Sequence, residues 1–170
     1  MTIYFEMTKR FLEYEEDFQM KDVMILTGAG QIGMAIASRM GYGRKIVIVD
    51  KKMEYAEAIS NTMNEAGFDT FPVEMHLSSR ESIMKLIEKA QGFGEVSMLV
   101  NAAGVSPSQA SIEAILKVDL YGTAVLLEEV GKIIKKGGVG VTISSQSGWR
   151  MPALTAEEDE LLATTPTEEL

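Results

Sequence analysis

Hydrophobic positions along the chain follow two alternating patterns. Short, almost continuous apolar runs, such as Val23-Met24-Ile25-Leu26 and Ser97-Met98-Leu99-Val100, are separated by longer stretches with helical spacing. This alternation predicts a doubly wound α/β fold, in which helices cover both faces of a parallel sheet. The predicted strands lie near residues 23–27, 45–49, 69–75, 96–101 and 139–144, and the predicted helices near 31–41, 52–66, 79–91 and 108–136.

Glycines follow most of the predicted helices. They stand where those helices should end, at Gly41, Gly43, Gly67, Gly92, Gly94, Gly137 and Gly138. Glycine is favoured after a helix because it adopts the left-handed conformation at little cost. We therefore expect left-handed C-caps at these positions.

The pattern divides the chain into three parts. Residues 1–19 combine aromatic side chains with acids in a ragged helical period and are interpreted as an N-terminal extension, with Met20 as a natural start of the domain. Residues 20–150 form the α/β domain. Residues 151–170 are acidic and carry helix-start signals at Thr155–Glu158 and Thr165–Glu168, but no strand pattern. This last part is either an acidic tail or the start of a further region, in which case the fold is incomplete at its C-terminus.

A glycine-rich turn joins the first predicted strand to the first helix. In T-G-A-G-Q-I-G, Gly28 permits a tight turn, Gly30 lets the backbone approach a pyrophosphate, and Gly33 lets the helix pack closely on the strand. Gln31 and Ile32 open the helix, whose N-terminal N–H groups would face the pyrophosphate. The pattern predicts a dinucleotide site; a glycine turn without a ligand is the alternative.

Asp50 follows the second strand, 17 positions after Gly33. A carboxylate there can accept hydrogen bonds from both ribose hydroxyls and would repel a 2′-phosphate, so NAD is favoured over NADP. Lys51 and Lys52 qualify this preference, because a cation at that place could reach a phosphate. Two solvated lysines that open a helix are the alternative.

Composition narrows the function further. The formal net charge of −9 and the lack of a basic cluster argue against a nucleic-acid partner. Apolar runs fall short of the roughly 20 residues that span a bilayer, so we expect no membrane segment. Acids near the amino terminus and the absence of cysteine suggest a cytoplasmic protein. His76 is the single histidine, so we expect no metal site and interpret it as a loop residue.

Three further segments make the chain similar to a known family. They are Asn101-Ala102-Ala103-Gly104 after a strand, Val118-Asp119-Leu120-Tyr121-Gly122 in a helix, and Thr142-Ile143-Ser144-Ser145-Gln146-Ser147-Gly148 after the last strand. Together with the glycine loop, they resemble the short-chain dehydrogenase/reductase family in order and spacing over about residues 22–150. The implied fold is a Rossmann-like NAD(P)-binding domain.

The resemblance assigns cofactor contacts to two loops. Asn101, Ala102, Ala103 and Gly104 would close the fourth strand against the cofactor, with Ala102 in place of a second asparagine. A strand-to-loop turn that needs Asn and Gly for backbone reasons is the alternative. Leu77, after the third strand, would pack near the adenine.

Two residues would carry catalytic roles. Ser145 aligns with the serine that hydrogen-bonds the substrate oxygen beside the nicotinamide, although a hydroxyl at a strand end also caps loops routinely. Asp119 stands where the family has an asparagine whose backbone carbonyl helps to hold a relay water. A local pairing role for this acid is equally open.

The chain departs from the family in its chemistry. Its glycine loop is one residue tighter than the family's T-G-x-x-x-G-x-G, so we expect the phosphate contacts to differ. The family's acid/base pair is Tyr-x-x-x-Lys after the serine, yet no tyrosine follows Tyr121 and no lysine follows Lys136. A phenol with a reference pKa of about 10 needs a nearby cation to work near neutrality.

The resemblance implies an oxidoreductase that interconverts a small-molecule alcohol and a ketone by hydride transfer, with a homo-oligomer expected for the full-length form. For these 170 residues we expect cofactor binding without turnover. A non-catalytic NAD-binding regulatory domain and an inactive fragment are the alternatives. An exposed sheet edge and exposed apolar surface are also expected.

Overall fold

The structure is a computed structural model that describes residues 21–170, so the interpretation of residues 1–19 lies outside the described residues. Strands and helices alternate as the sequence predicts. The strands are β1 (Val23–Thr27), β2 (Lys45–Asp50), β3 (Asp69–Glu74), β4 (Val96–Asn101) and β5 (Val139–Thr142). The helices are α1 (Gln31–Met40), α2 (Met53–Glu65), α3 (Arg80–Gln91), α4 (Ile112–Ile115), a π-helical segment (Leu116–Gly122), α5 (Thr123–Ile133), α6 (Gln146–Arg150) and α7 (Ala156–Thr164), followed by a 3₁₀ turn (Thr167–Glu169).

The five strands form one parallel sheet in the order β3-β2-β1-β4-β5. The chain moves outward from β1 to β3 and then returns to the other side of β1 at β4. This reversal creates a crevice between β1 and β4 at the carboxyl ends of the strands, which is where open α/β sheets bind ligands. The predicted Rossmann-like doubly wound sheet is confirmed.

Two hydrophobic clusters lie on opposite faces of the sheet. Alternate residues of β1 divide between them: Val23 and Ile25 pack in one cluster, and Met24 and Leu26 in the other. All five residues of β1 are buried. Burial on both faces explains why the strand appears as a continuous apolar run rather than an alternating one.

The long helix differs from its prediction over 108–136. It begins at Ile112, with Ser111 as its N-cap, and ends at Ile133. Its middle, Leu116–Gly122, is π-helical. Such segments are rare and frequently lie at functional sites.

The expectation of left-handed glycines is only partly correct. Gly43, Gly67, Gly94 and Gly137 have positive φ. By contrast, Gly41 and Gly92 cap α1 and α3 in a right-handed conformation, with φ of −87° and −63°; Gly138 is likewise not among the positive-φ glycines.

The last strand forms one edge of the sheet and is exposed along its whole length. Val139 and Val141 are 49% and 48% exposed, which agrees with the expected open edge. Beyond it, α7 begins with the predicted capping box between Thr155 and Glu158. The final turn returns to the domain, where Glu168 Oε1 lies 2.5 Å from Arg80 Nε.

Candidate cofactor site

The predicted site residues meet at the carboxyl edge of the sheet. The glycine loop follows β1, Asp50 ends β2, Leu77 follows β3, the Asn101–Gly104 segment follows β4, and Ser145 follows β5. Since all five strands are parallel, these loops lie along one edge and surround the crevice between β1 and β4.

The first and last glycines of the loop are required by packing. Gly28 has φ of +85°, and a Cβ there would lie 2.7 Å from the backbone of Ala102. A Cβ on Gly33 would lie 2.6 Å from the Gly28 carbonyl oxygen and 3.0 Å from Leu26 Cδ1. The turn after β1 therefore lies directly against the β4 loop, and α1 lies directly against β1.

The middle of the loop is open. A Cβ on Gly30 would have no heavy atom within 4 Å. No side chain caps α1 at Gly30, and its first turn holds no acidic residue. Gln31 and Ile32 are exposed, Ile32 by 60%. An uncapped helix start with free approach to its backbone suits an anion such as a pyrophosphate.

Asp50 connects the end of β2 to this loop. Its Oδ2 accepts the Ala29 N–H at 3.1 Å, and its Oδ1 accepts the Lys52 N–H at 3.2 Å. An ionised carboxylate has about four lone-pair positions, so two remain for the hydroxyls of a ribose. The backbone bonds hold the carboxylate beside the glycine loop before any ligand arrives.

A second acid lies at the same place and was missed by sequence reasoning. Glu74 pairs with Asp50 in the register of β2 and β3, and its Oε2 accepts the Met53 N–H at 3.2 Å. In the sequence, Glu74 is marked only by its position at the end of β3. The strand register is needed to show that this position lies beside Asp50.

The second lysine after Asp50, Lys52, contacts side chains of its own helix. Lys52 Nζ lies 3.5 Å from Glu54 Oε1 and 5.1 Å from the centroid of the Tyr55 ring. Tyr55 first, and then Glu54, raise the pKa of Lys52. Lys51 is exposed at the start of the turn. The interpretation of Lys52 as a helix-opening residue is favoured by these contacts.

The side chain of Asn101 has a structural role. It is 1% exposed; its Oδ1 accepts the Thr27 hydroxyl at 2.6 Å and its Nδ2 donates to Thr123 Oγ1 at 3.4 Å. These bonds join β1, β4 and α5 within the core. Ala102, Ala103 and Gly104 are partly or fully exposed, so the predicted cofactor contacts of this segment would come from them and from the backbone.

Leu77 is also more buried than a ligand contact would suggest. It is 6% exposed and belongs to the core cluster on the α3 and α5 face. A Cβ on Gly122 would overlap the Leu77 carbonyl. The loop after β3 thus lies tightly against the end of the π-helical segment, and His76 beside it is exposed.

Asp119 lies inside the π-helical segment and faces the β4 loop. Its Oδ1 accepts the Val105 N–H at 3.0 Å, and a Cβ on Gly104 would lie 3.3 Å from the same oxygen. The side chain therefore holds the loop after β4, which is the local pairing role. The relay role through its backbone carbonyl remains a prediction.

Ser145 is exposed and caps a short helix. Its Oγ accepts the Ser147 N–H at 3.0 Å, as N-cap of α6. The strand before it is tied to the site, because Ile143 N–H donates to the Asn101 carbonyl at 2.8 Å. The capping role is present, and the substrate role remains a prediction.

The geometry of residues 21–170 also bears on metal binding and on membrane spans. No group of three or more histidine, aspartate or glutamate side chains there is placed to hold a metal ion. Within the same range, every helix is too short or too polar to cross a bilayer.

Comparison with known proteins identifies the family. The model of the short chain dehydrogenase family matches residues 22–156. The short-chain dehydrogenase/reductase bsc3 of Alternaria brassicicola is 36% identical over 131 residues, which are 77% of this chain and 48% of that protein. The 3-oxoacyl-[acyl-carrier-protein] reductase FabG of Aquifex aeolicus (strain VF5) is 33% identical over 140 residues, 75% of this chain and 56% of the relative.

A solved structure agrees with this match. The short-chain dehydrogenase/reductase of Burkholderia phymatum in complex with NAD superposes with a TM-score of 0.69 at 25% identity, covering 78% of this chain and 52% of that one. The chain belongs to the short-chain dehydrogenase family. It spans about half the length of the curated relatives that it matches.

Proposed function

We propose that this chain binds NAD at the carboxyl edge of its sheet. The observation that carries the proposal is the open, uncapped start of α1 at Gly30, held between Gly28 and Gly33, which the packing requires to be small. This arrangement leaves backbone donors and space for a pyrophosphate. The family match and the NAD complex of a similar structure support a nicotinamide dinucleotide, without distinguishing NAD from NADP.

The carboxylate of Asp50 favours NAD over NADP in this proposal. Its two oxygens already accept hydrogen bonds from the Ala29 and Lys52 amides. Their remaining lone pairs can accept hydrogen bonds from ribose hydroxyls. A 2′-phosphate in the same place would meet a negative charge.

The proposed activity of the whole protein is hydride transfer between the nicotinamide and a small-molecule alcohol or ketone. The cofactor, when bound, accepts or supplies the hydride. Ser145 would orient the substrate oxygen by a hydrogen bond, and the backbone at Asp119 would help to hold a water. Since no tyrosine follows Tyr121 and no lysine follows Lys136, we expect these 170 residues to bind cofactor without turnover.

A fluorescence titration with NADH and NADPH tests this function. The wild-type chain should bind NADH in a saturable manner and more tightly than NADPH. Asp50→Ala removes the acceptor of the ribose hydroxyls and should weaken NADH binding by about tenfold or more, because at least one charge-assisted hydrogen bond is lost. Unchanged NADH binding by this variant would refute the ribose assignment.

A further inference from the structure

The start of α2 is capped by the strands beside it rather than by its own first residue. Helices α3, α4 and α7 are preceded by Ser79, Ser111 and Thr155, whose hydroxyls cap them. The corresponding residue of α2 is Lys52, which provides no side-chain cap. The acceptors come instead from the last residues of β2 and β3.

These two acceptors are neighbouring carboxylates. Asp50 and Glu74 are register partners on adjacent parallel strands, and their oxygens accept the consecutive amides of Lys52 and Met53 at 3.2 Å each. Both charges therefore lie at one helix start. The amides that would otherwise be donors to an incoming phosphate are occupied.

One of the two lysines that follow Asp50 has partners other than this pair. Lys52 Nζ lies against Glu54 and the ring of Tyr55, and its contacts are with those groups. Lys51 is exposed at the end of β2, where the two carboxylates outnumber its single charge. A 2′-phosphate on a ribose held by Asp50 would have to lie next to both.

We propose that Glu74 is a second specificity-determining residue, which acts with Asp50 to exclude a 2′-phosphorylated dinucleotide from the start of α2. This inference rests on the proposed NAD site. Glu74 contributes through its charge and through its hold on the Met53 amide. The residue that contacts the ribose is Asp50.

Glu74→Gln separates the charge from the hydrogen bond. The glutamine oxygen can still accept the Met53 N–H, so the helix start keeps its cap while one negative charge is lost. In water with salt, removing one like charge a few ångströms from a phosphate should strengthen NADPH binding by about fivefold. NADH binding should stay within about twofold, because NADH has no 2′-phosphate.

Glu65→Gln is the matched control. It makes the same change of charge in an exposed residue at the far end of α2, about 18 Å along the helix axis from Met53. Beyond the Debye length of about 8 Å, its effect on NADPH should be small. In 1 M salt the fold-increase in NADPH affinity of Glu74→Gln should approach one, because salt screens the charge. An effect on the structure alone would persist in high salt.

Fluorescence titration of the wild-type chain and both variants with NADH and NADPH tests this role of Glu74. A raised NADPH-to-NADH affinity ratio in Glu74→Gln alone supports the inference. An unchanged ratio in a variant that still binds NADH, or an equal change in Glu65→Gln, would overturn it while leaving the proposed function intact. Failure of the wild-type chain to bind NADH would overturn both.

Discussion

Gly30 offers the sharpest test of how the loop works, because folding and binding should respond differently to its replacement. With φ of −101° and ψ of 178°, Gly30 has an extended backbone that alanine adopts without strain. A Cβ there meets nothing within 4 Å. Gly30→Ala should therefore fold normally and leave a methyl group at the place where the pyrophosphate approaches.

The expected magnitudes follow from these surroundings. Alanine is a poorer N-cap than glycine, which destabilises the fold by about 0.5 kcal/mol. It also reduces the entropy of the unfolded chain, which stabilises the fold by about the same free energy. The free energy of unfolding should thus change by less than about 0.5 kcal/mol. Loss of one hydrogen bond to a charged phosphate costs about 1.5–3 kcal/mol, so NADH affinity should fall by about tenfold or more.

The assay combines urea unfolding with an NADH fluorescence titration. Gly131→Ala serves as the control, since Gly131 lies in α5 and a Cβ there also meets nothing within 4 Å. It should stabilise the helix by about 0.5–1 kcal/mol and leave NADH binding unchanged. If Gly30→Ala bound NADH as tightly as the wild-type chain, the placement of the pyrophosphate at this loop would be wrong.

Two further predictions concern the framework of the site. Thr27→Val removes the buried hydroxyl that donates to Asn101 Oδ1, so the free energy of unfolding in urea should fall by about 1–3 kcal/mol; a loss below about 0.5 kcal/mol would contradict that role. Hydrogen bonds from Lys132 and Arg80 hold the pKa of Glu128 at about 2, below its ordinary 4.5, so its stabilisation is complete above pH 4.5 and is lost as the pH falls toward 2. Glu128→Gln should flatten the fall of the thermal midpoint over that range, and an unchanged pH profile would contradict this.

The elements that the sequence predicted well are those whose causes are local. The strand β1 is buried on both faces, so every residue had to be apolar or small, and the pattern shows it. Gly28 and Gly33 were predicted because a positive φ and a close helix approach leave almost no choice of residue. Their places in the fold are confirmed by the structure.

The features that were missed depend on contacts between distant parts of the chain. Glu74 matters only because β2 and β3 pair with Asp50 opposite to it. The side chain of Asn101 is bonded to Thr27, 74 positions away, which no local pattern indicates. The π-helical segment ends where Gly122 passes the Leu77 carbonyl, and that approach is likewise set by tertiary packing.

The most direct test of the NAD site is an amide NMR titration of the ¹⁵N-labelled chain with NAD. Saturable shifts are expected at the start of α1 from Gly30 to Gly33, at Asp50, and in the loop from Ala102 to Gly104. Gly67 and Gly94, in loops at the opposite edge of the sheet, should not shift. No shifts at millimolar NAD, or shifts confined to that opposite edge, would contradict it.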